Sequence, residues 1–255
     1  MKIYVTSCDK RVGYARKAKE MLKDSPHEYF FVYGKGNVNK VEPYIEFDFK
    51  EAYENLAEKT FCLVEYHLKN SGNEKLLKMD DDNFLDVKKV GRYETAPEDY
   101  IGHFHNYQLH DWYDQYFHWY KMENPEYKRP KKTFELDFAE GGVFILSRKA
   151  CEKIVKDGRE FFKNTPETYL GEDVRVAMSL NDPSIIKKDI KISTGLGYEI
   201  TEDFIAIHPI HMHLFRKLMA ANSNEEKTEI LKKYNFMNEN IHRAEFFKKL
   251  KPLVS

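Results

Sequence analysis

An α/β fold, with a mostly parallel mixed sheet flanked by helices, is what this sequence predicts. Two observations carry it: short β-branched and aromatic runs alternate with segments of helical spacing, and small polar or acidic residues stand where those runs end. Size is the third. A chain of 255 residues with 42% hydrophobic and 15% aromatic content can bury a sizeable core and is a poor candidate for disorder.

The elements follow in order. "KIYVTS" is a strand ending in small polar residues, "YARKAKEMLKD" has helical spacing, and "EYFFVYGKG" is a buried strand closed by glycines. This is a β-α-β unit, and "YIEFDF", the helical "KEAYENLAEKTFCLVEYHLKN", the turn "SGN" and the strand "EKLLKM" extend it. In such sheets ligands bind beyond the carboxyl ends of the strands, which here carry Thr6, Ser7, Tyr33, Gly34 and the run Asp80, Asp81, Asp82. Residues 91 to 133 are rich in histidine, tyrosine and tryptophan and have little periodicity. They read either as an aromatic surface subdomain or as a wall, with Trp112 in it, for a sugar or similar flat polar ligand. "FAEGGVFILSRKACEKIVKD" reads as a turn at Gly141 and Gly142, a buried strand, and a helix starting at Ser147. "ETYLGEDVRVAMSLND" puts Glu172 and Asp173 at the start of a helix whose Val174, Val176, Ala177 and Leu180 face inward. The tail from 222 to 255 reads as helical and structural.

Composition excludes several classes. With 41 basic and 42 acidic residues there is no global field for nucleic acid or an anionic membrane. Cys8, Cys62 and Cys151 are far apart and fit neither a disulfide framework nor a zinc site. No apolar run approaches membrane-spanning length, so the expected location is cytoplasmic.

The sharpest local question is "LLKMDDDNFL", where an apolar run drives into three adjacent carboxylates that repel one another. Solvent, a cation or a basic partner must offset that repulsion. Two carboxylates at i and i+2 after a strand suit Mg²⁺ or Mn²⁺, while local charge alone favours a solvated acidic turn. An EF-hand is excluded, because its glycine and distal glutamate are missing.

Four segments in order resemble a known family. "FDFKEAYENLAEKT" followed by "LLKMDDDNF", then "DFAEGGVFILSRKACEKI", then "YLGEDVRVAMSL", is similar to the inverting β-1,3-glycosyltransferases of the galactosyltransferase and fringe type. The resemblance spans roughly residues 1 to 215. It departs from the family in a glycine strand one residue shorter and in lacking the disulfide cysteines and anchor of Golgi members, which points to a viral or bacterial-type soluble relative.

The resemblance implies one GT-A domain over 1–255, with a single Rossmann-like sheet. Residues 1–90 form its nucleotide-sugar half, 91–221 its acceptor half and 222–255 a helical tail. It implies a UDP-sugar donor carrying galactose, N-acetylglucosamine or a similar sugar, a glycan acceptor, and Mn²⁺ or Mg²⁺ held by Asp80, Asp82 and a histidine. Of His208, His211 and His213, His208 directly follows an apolar run and fits best. Thr6, Ser7, Arg16, Lys59 and Asp81 join the aspartates as donor contacts. Trp112, Gly141, Gly142 and Glu172 fall on the acceptor side, and Asp173 is the implied general base, with Glu172 the alternative. Residue type alone favours reading Asp173 as a helix-start acid stabilised by the macrodipole over a catalytic one, and the resemblance reverses that order. A retaining transferase, a metal-dependent phosphohydrolase or nucleotidyltransferase, and a non-catalytic glycan-binding module are the competing readings.

Overall fold

The computed structural model describes residues 1–108, 123, 135–162, 171–190, 192–193, 206–207, 220–223, 225–227 and 229–230. Its centre is a seven-stranded sheet of β1 (Lys2–Thr6), β2 (Glu28–Lys35), β3 (Tyr44–Lys50), β4 (Leu76–Asp80), β6 (Tyr100–Gln108), β7 (Glu135–Leu146) and β8 (Lys187–Asp189). The strand order is β3-β2-β1-β4-β7-β6-β8. The first four strands run parallel, β7 is antiparallel to both its neighbours, and β8 is parallel to β6. The mixed, mostly parallel sheet expected from the alternation is therefore present. A small three-stranded sheet joins β5 (Phe84–Leu85), β9 (Ile192–Ser193) and β10 (Ala206–Ile207).

Chain order explains where the crevice falls. From β1 the chain moves outward to β2 and β3, then crosses back to place β4 on the other side of β1. Right-handed crossovers in opposite directions put their helices on opposite faces. Accordingly α1 (Val12–Leu22) buries Ala15, Ala18 and Leu22 against Ile3, Val5, Leu77 and Ile145, all fully buried. On the other face α2 (Leu56–Asn70), α4 (Arg148–Asp157), α5 (Arg159–Phe162) and α6 (Glu172–Ser179) cover Tyr4, Val32, Leu76, Phe144 and Leu146, while the short α3 (Val87–Val90) packs on the α1 side. Alternation along each strand divides the two cores, and each such buried aliphatic or aromatic side chain contributes about 1.5–3 kcal/mol. The reversal of strand order leaves an opening at the carboxyl ends of β1 and β4.

Two expectations change. Within the segment read as lacking periodicity, Tyr100–Gln108 forms β6, an interior strand. A register shift between Gly102 and Phe104 interrupts its two-residue alternation, so no long period is visible in the sequence. The turn expected at Gly141 and Gly142 is likewise absent, because both lie inside the continuous β7. Glycine within a strand marks a close approach as readily as a turn, and here it is the former. The helix boundary at Ser147 holds: its hydroxyl accepts the Ala150 amide at 3.1 Å and donates to Asp99 at 2.7 Å, tying α4 to the start of β6. Most of the tail from 222 to 255 lies outside the described residues; within it, Ile230 packs on the α1-side core.

Candidate functional site

The parallel register sets Thr6 beside Asp80, so the polar end of β1 meets the acidic end of β4. Thr6 Oγ1 donates to Asp80 Oδ1 at 2.5 Å, and Ser7 Oγ donates to Asp81 Oδ2 at 2.6 Å. Arg11, just before α1, reaches across with Nε 2.6 Å from Asp81 Oδ1 and Nη2 2.7 Å from Asp82 Oδ2. The repulsion within the aspartate run is thus offset by a cation that a neighbouring strand-end loop delivers. Asp81 is wholly buried, and burial pushes its carboxyl up to about 7 although Arg11 and Ser7 act against the shift.

A second cation comes from β4 itself. Alternation puts Lys78 on the same face as Leu76 and Asp80, beneath α2 and α6, and its side chain is fully buried. Its Nζ donates to Asp80 Oδ1 at 2.6 Å, to Glu172 Oε1 at 2.5 Å and to the carbonyl of Gly141. An ammonium has three donors, and these acceptors use all of them. Burial acts to lower the Lys78 pKa, but Asp80 and Glu172 prevail and hold it above the ordinary lysine range.

Glu172 and Asp173 open α6. The other Glu172 oxygen accepts from Thr60 on α2 at 3.1 Å. Burial raises its carboxyl, with Lys78 opposing. Both oxygens are engaged inside the protein, so Glu172 ties the start of α6 to β4 and α2. Asp173 is partly buried, and its Oδ1 takes the Val174 amide at 2.8 Å. Burial raises its pKa too, opposed by the Val174 amide, Lys78 and the Gly141 amide. A carboxylate with a raised pKa at the start of a helix has the character of a proton acceptor.

Gly141 is where the two acidic groups meet. A Cβ there would lie 2.9 Å from Glu172 Oε1 and 3.5 Å from the Asp173 Cβ. Gly141→Ala should therefore push the Glu172 carboxylate off Lys78 and lower stability by about 1–3 kcal/mol, the usual cost of overpacking. Thermal unfolding checks this; an unchanged midpoint would mean that Glu172 has room the geometry denies it.

The remaining expected site residues divide. Lys59 is buried rather than displayed, with Nζ 3.0 Å from the Ser7 carbonyl and 2.5 Å from Glu51 Oε1. Glu51 in turn accepts the Gly34 amide at 2.7 Å and Asn37 Nδ2 at 3.0 Å, locking the loops after β1 and β2 together. Arg16 is exposed on α1, and Arg11 is the arginine on the aspartates. Gly142 is buried within β7. Trp112, His208, His211 and His213 lie outside the described residues.

Arg11, Lys78 and Thr60 were missed from sequence. The signal for Lys78 was present, as a lysine inside an apolar strand run two residues before an aspartate. Arg11 and Thr60 carried none, since loop and helix residues of their type are usually solvated.

The fit to a hard divalent cation rests on Asp80 and Asp82, whose side chains are 33% and 15% exposed at the open strand end while Asp81 turns inward. Among the described residues no cluster of three or more histidine, cysteine or acidic side chains forms a cage. Two carboxylates suit an ion of the Mg²⁺ type, which keeps waters and shares its shell with substrate phosphates.

A family model described as galactosyltransferase matches residues 39–191, more than half of the chain. No curated protein matches by sequence. Among solved structures, the chain is similar to a glycosyltransferase involved in the glycosylation of the major capsid of PBCV-1, at 15% identity and a TM-score of 0.49, covering 91% of this chain and 98% of that one. It is also similar to galactosyltransferase LgtC in complex with donor and acceptor sugar analogs, at 11% identity and a TM-score of 0.49, covering 91% and 96%. A third is a putative glucose-1-phosphate thymidylyltransferase from Bacillus anthracis, at 12% identity and a TM-score of 0.43, covering 74% and 86%.

Proposed function

The chain belongs to the galactosyltransferase family and is a glycosyltransferase, and from that premise we propose a metal-dependent, inverting transfer from a UDP-sugar to a glycan hydroxyl. The observation that carries the proposal is the link between two acidic groups: Lys78 donates both to Asp80 at the end of β4 and to Glu172, the neighbour of Asp173 at the start of α6. Residues 1–90 supply the nucleotide-sugar half, 91–221 the acceptor half and 222–255 the tail.

On the donor side Thr6, Ser7 and the aspartates face the diphosphate, with Arg11 as the nearby cation. Asp80 and Asp82, with His208 as a third ligand, would hold Mn²⁺ or Mg²⁺, which would supply charge neutralisation for a diphosphate leaving group. On the acceptor side Asp173 takes the proton from the attacking hydroxyl. That oxygen bonds to the anomeric carbon from the face opposite UDP, whose bond to the sugar breaks, and the configuration inverts. Lys59 stands behind the donor rim, where it fixes the Ser7 backbone.

A panel of UDP-sugars, assayed with and without Mn²⁺ and with a set of glycoside acceptors, tests the reading, with the product anomer assigned by NMR. The expected result is Mn²⁺-dependent transfer with inverted configuration. Retained configuration would replace the mechanism, and release of free sugar with no transfer to any acceptor would favour a hydrolase.

A further inference from the structure

Lys78 poses a problem of stability. A buried ion pair seldom stabilises a fold more than well-packed apolar groups of similar volume, and Leu76, two residues earlier on the same strand face, is apolar. Burial of a lysine at this strand position therefore calls for a reason other than cohesion. Its three acceptors come from three separate elements: Asp80 at the end of β4, Gly141 in β7 and Glu172 at the start of α6. Glu172 is also pinned from α2 by Thr60, and Gly141 leaves the space that the Glu172 carboxylate fills. The chain Asp80–Lys78–Glu172 thus runs from a partly open carboxylate at the sheet's carboxyl edge to the helix turn that carries Asp173.

We infer that Lys78 is a positioning residue that couples occupancy of the Asp80–Asp82 end to the placement of α6, and so of Asp173. The inference rests on the proposed donor and acceptor assignment. Its physical content is that a ligand drawing on the Asp80 carboxylate changes what Lys78 can give to Glu172, and a three-point ammonium leaves α6 one favoured seat. Donor binding would then order the first turn of α6 before any acceptor arrives.

Hydrogen exchange with UDP and Mn²⁺ as the probe tests this without a turnover measurement. In the wild type, ligand should slow exchange at the Asp81–Asn83 amides and, by about tenfold, at the Val174 and Arg175 amides; couplings between sites typically span about 5- to 150-fold. In Lys78→Met combined with Glu172→Gln, which removes both charges of the pair, slowing should remain at Asp81–Asn83 and vanish at α6. Lys78→Arg, which keeps the charge but presents a planar fork to three acceptors, should weaken the α6 effect and serves if the double variant does not fold. Slowing at Asp81–Asn83 without any at α6 in the wild type would overturn the inference, as would undiminished α6 slowing in either variant. If neither region responds in the wild type, the donor assignment itself fails and the inference falls with it, an outcome distinguished by the silent β4 end.

Discussion

Asp173→Asn is expected to lower sugar transfer by roughly 10²- to 10⁴-fold, the usual contribution of a general base, while UDP and Mn²⁺ binding stay near wild type. Asparagine keeps the size of the side chain and an oxygen for the Val174 amide, which lies 2.8 Å from Asp173 Oδ1, so the start of α6 should survive. What it cannot do is accept the acceptor's proton. The pH profile supplies a second readout. Burial raises the Asp173 pKa, and the base works only when deprotonated, so the rate should climb with pH through a midpoint above the ordinary aspartate range. The variant should lose that limb. Retention of most of the wild-type rate at saturating acceptor would return Asp173 to the role of a helix-start acid.

Asp82→Ala should abolish metal-dependent binding of UDP and leave the fold in place. Asp82 meets Arg11 at 2.7 Å, but Arg11 keeps its second bond, to the buried Asp81, when Asp82 is truncated. Asp82 is 15% exposed and Arg11 Nη2 is buried, so the truncation removes a partner from a buried nitrogen and should cost about 1–3 kcal/mol of stability without unfolding the domain. Titration calorimetry with UDP, with and without Mn²⁺, measures the effect, and circular dichroism verifies the fold. Unchanged Mn²⁺-dependent binding would remove Asp82 from the metal site.

How far these residues were legible from sequence differs case by case. Asp80–Asp82 and Glu172–Asp173 stand out because acidic residues at a strand end and a helix start contrast with the apolar runs beside them, and in the structure Lys78 bonds to a member of each group. Lys59 and Arg16 were chosen on residue type, and burial separates them: one is locked behind the rim, the other is exposed. Glycine permits turns, so the sequence predicts one at Gly141 and Gly142, yet both lie inside β7 and at Gly141 the missing Cβ makes room for Glu172. β6 escaped notice because its register shift breaks the alternation that identifies a strand.

Local patterning by itself determined the alternation of strands and helices, the helix start at Ser147 and the inward face of α6, since these depend on neighbours within a few residues. Only the tertiary structure decided which charges meet. Arg11 lies 70 residues from Asp81, and Lys78 lies 94 from Glu172. Those pairings follow from strand order: placing β4 beside β1 and β7 beside β4 brings the end of one strand, the loop after another and the first turn of α6 to the same edge. Residue type sets what each side chain can donate or accept, but sheet topology sets its partner, and topology arises from long-range pairing that no local window of the chain contains.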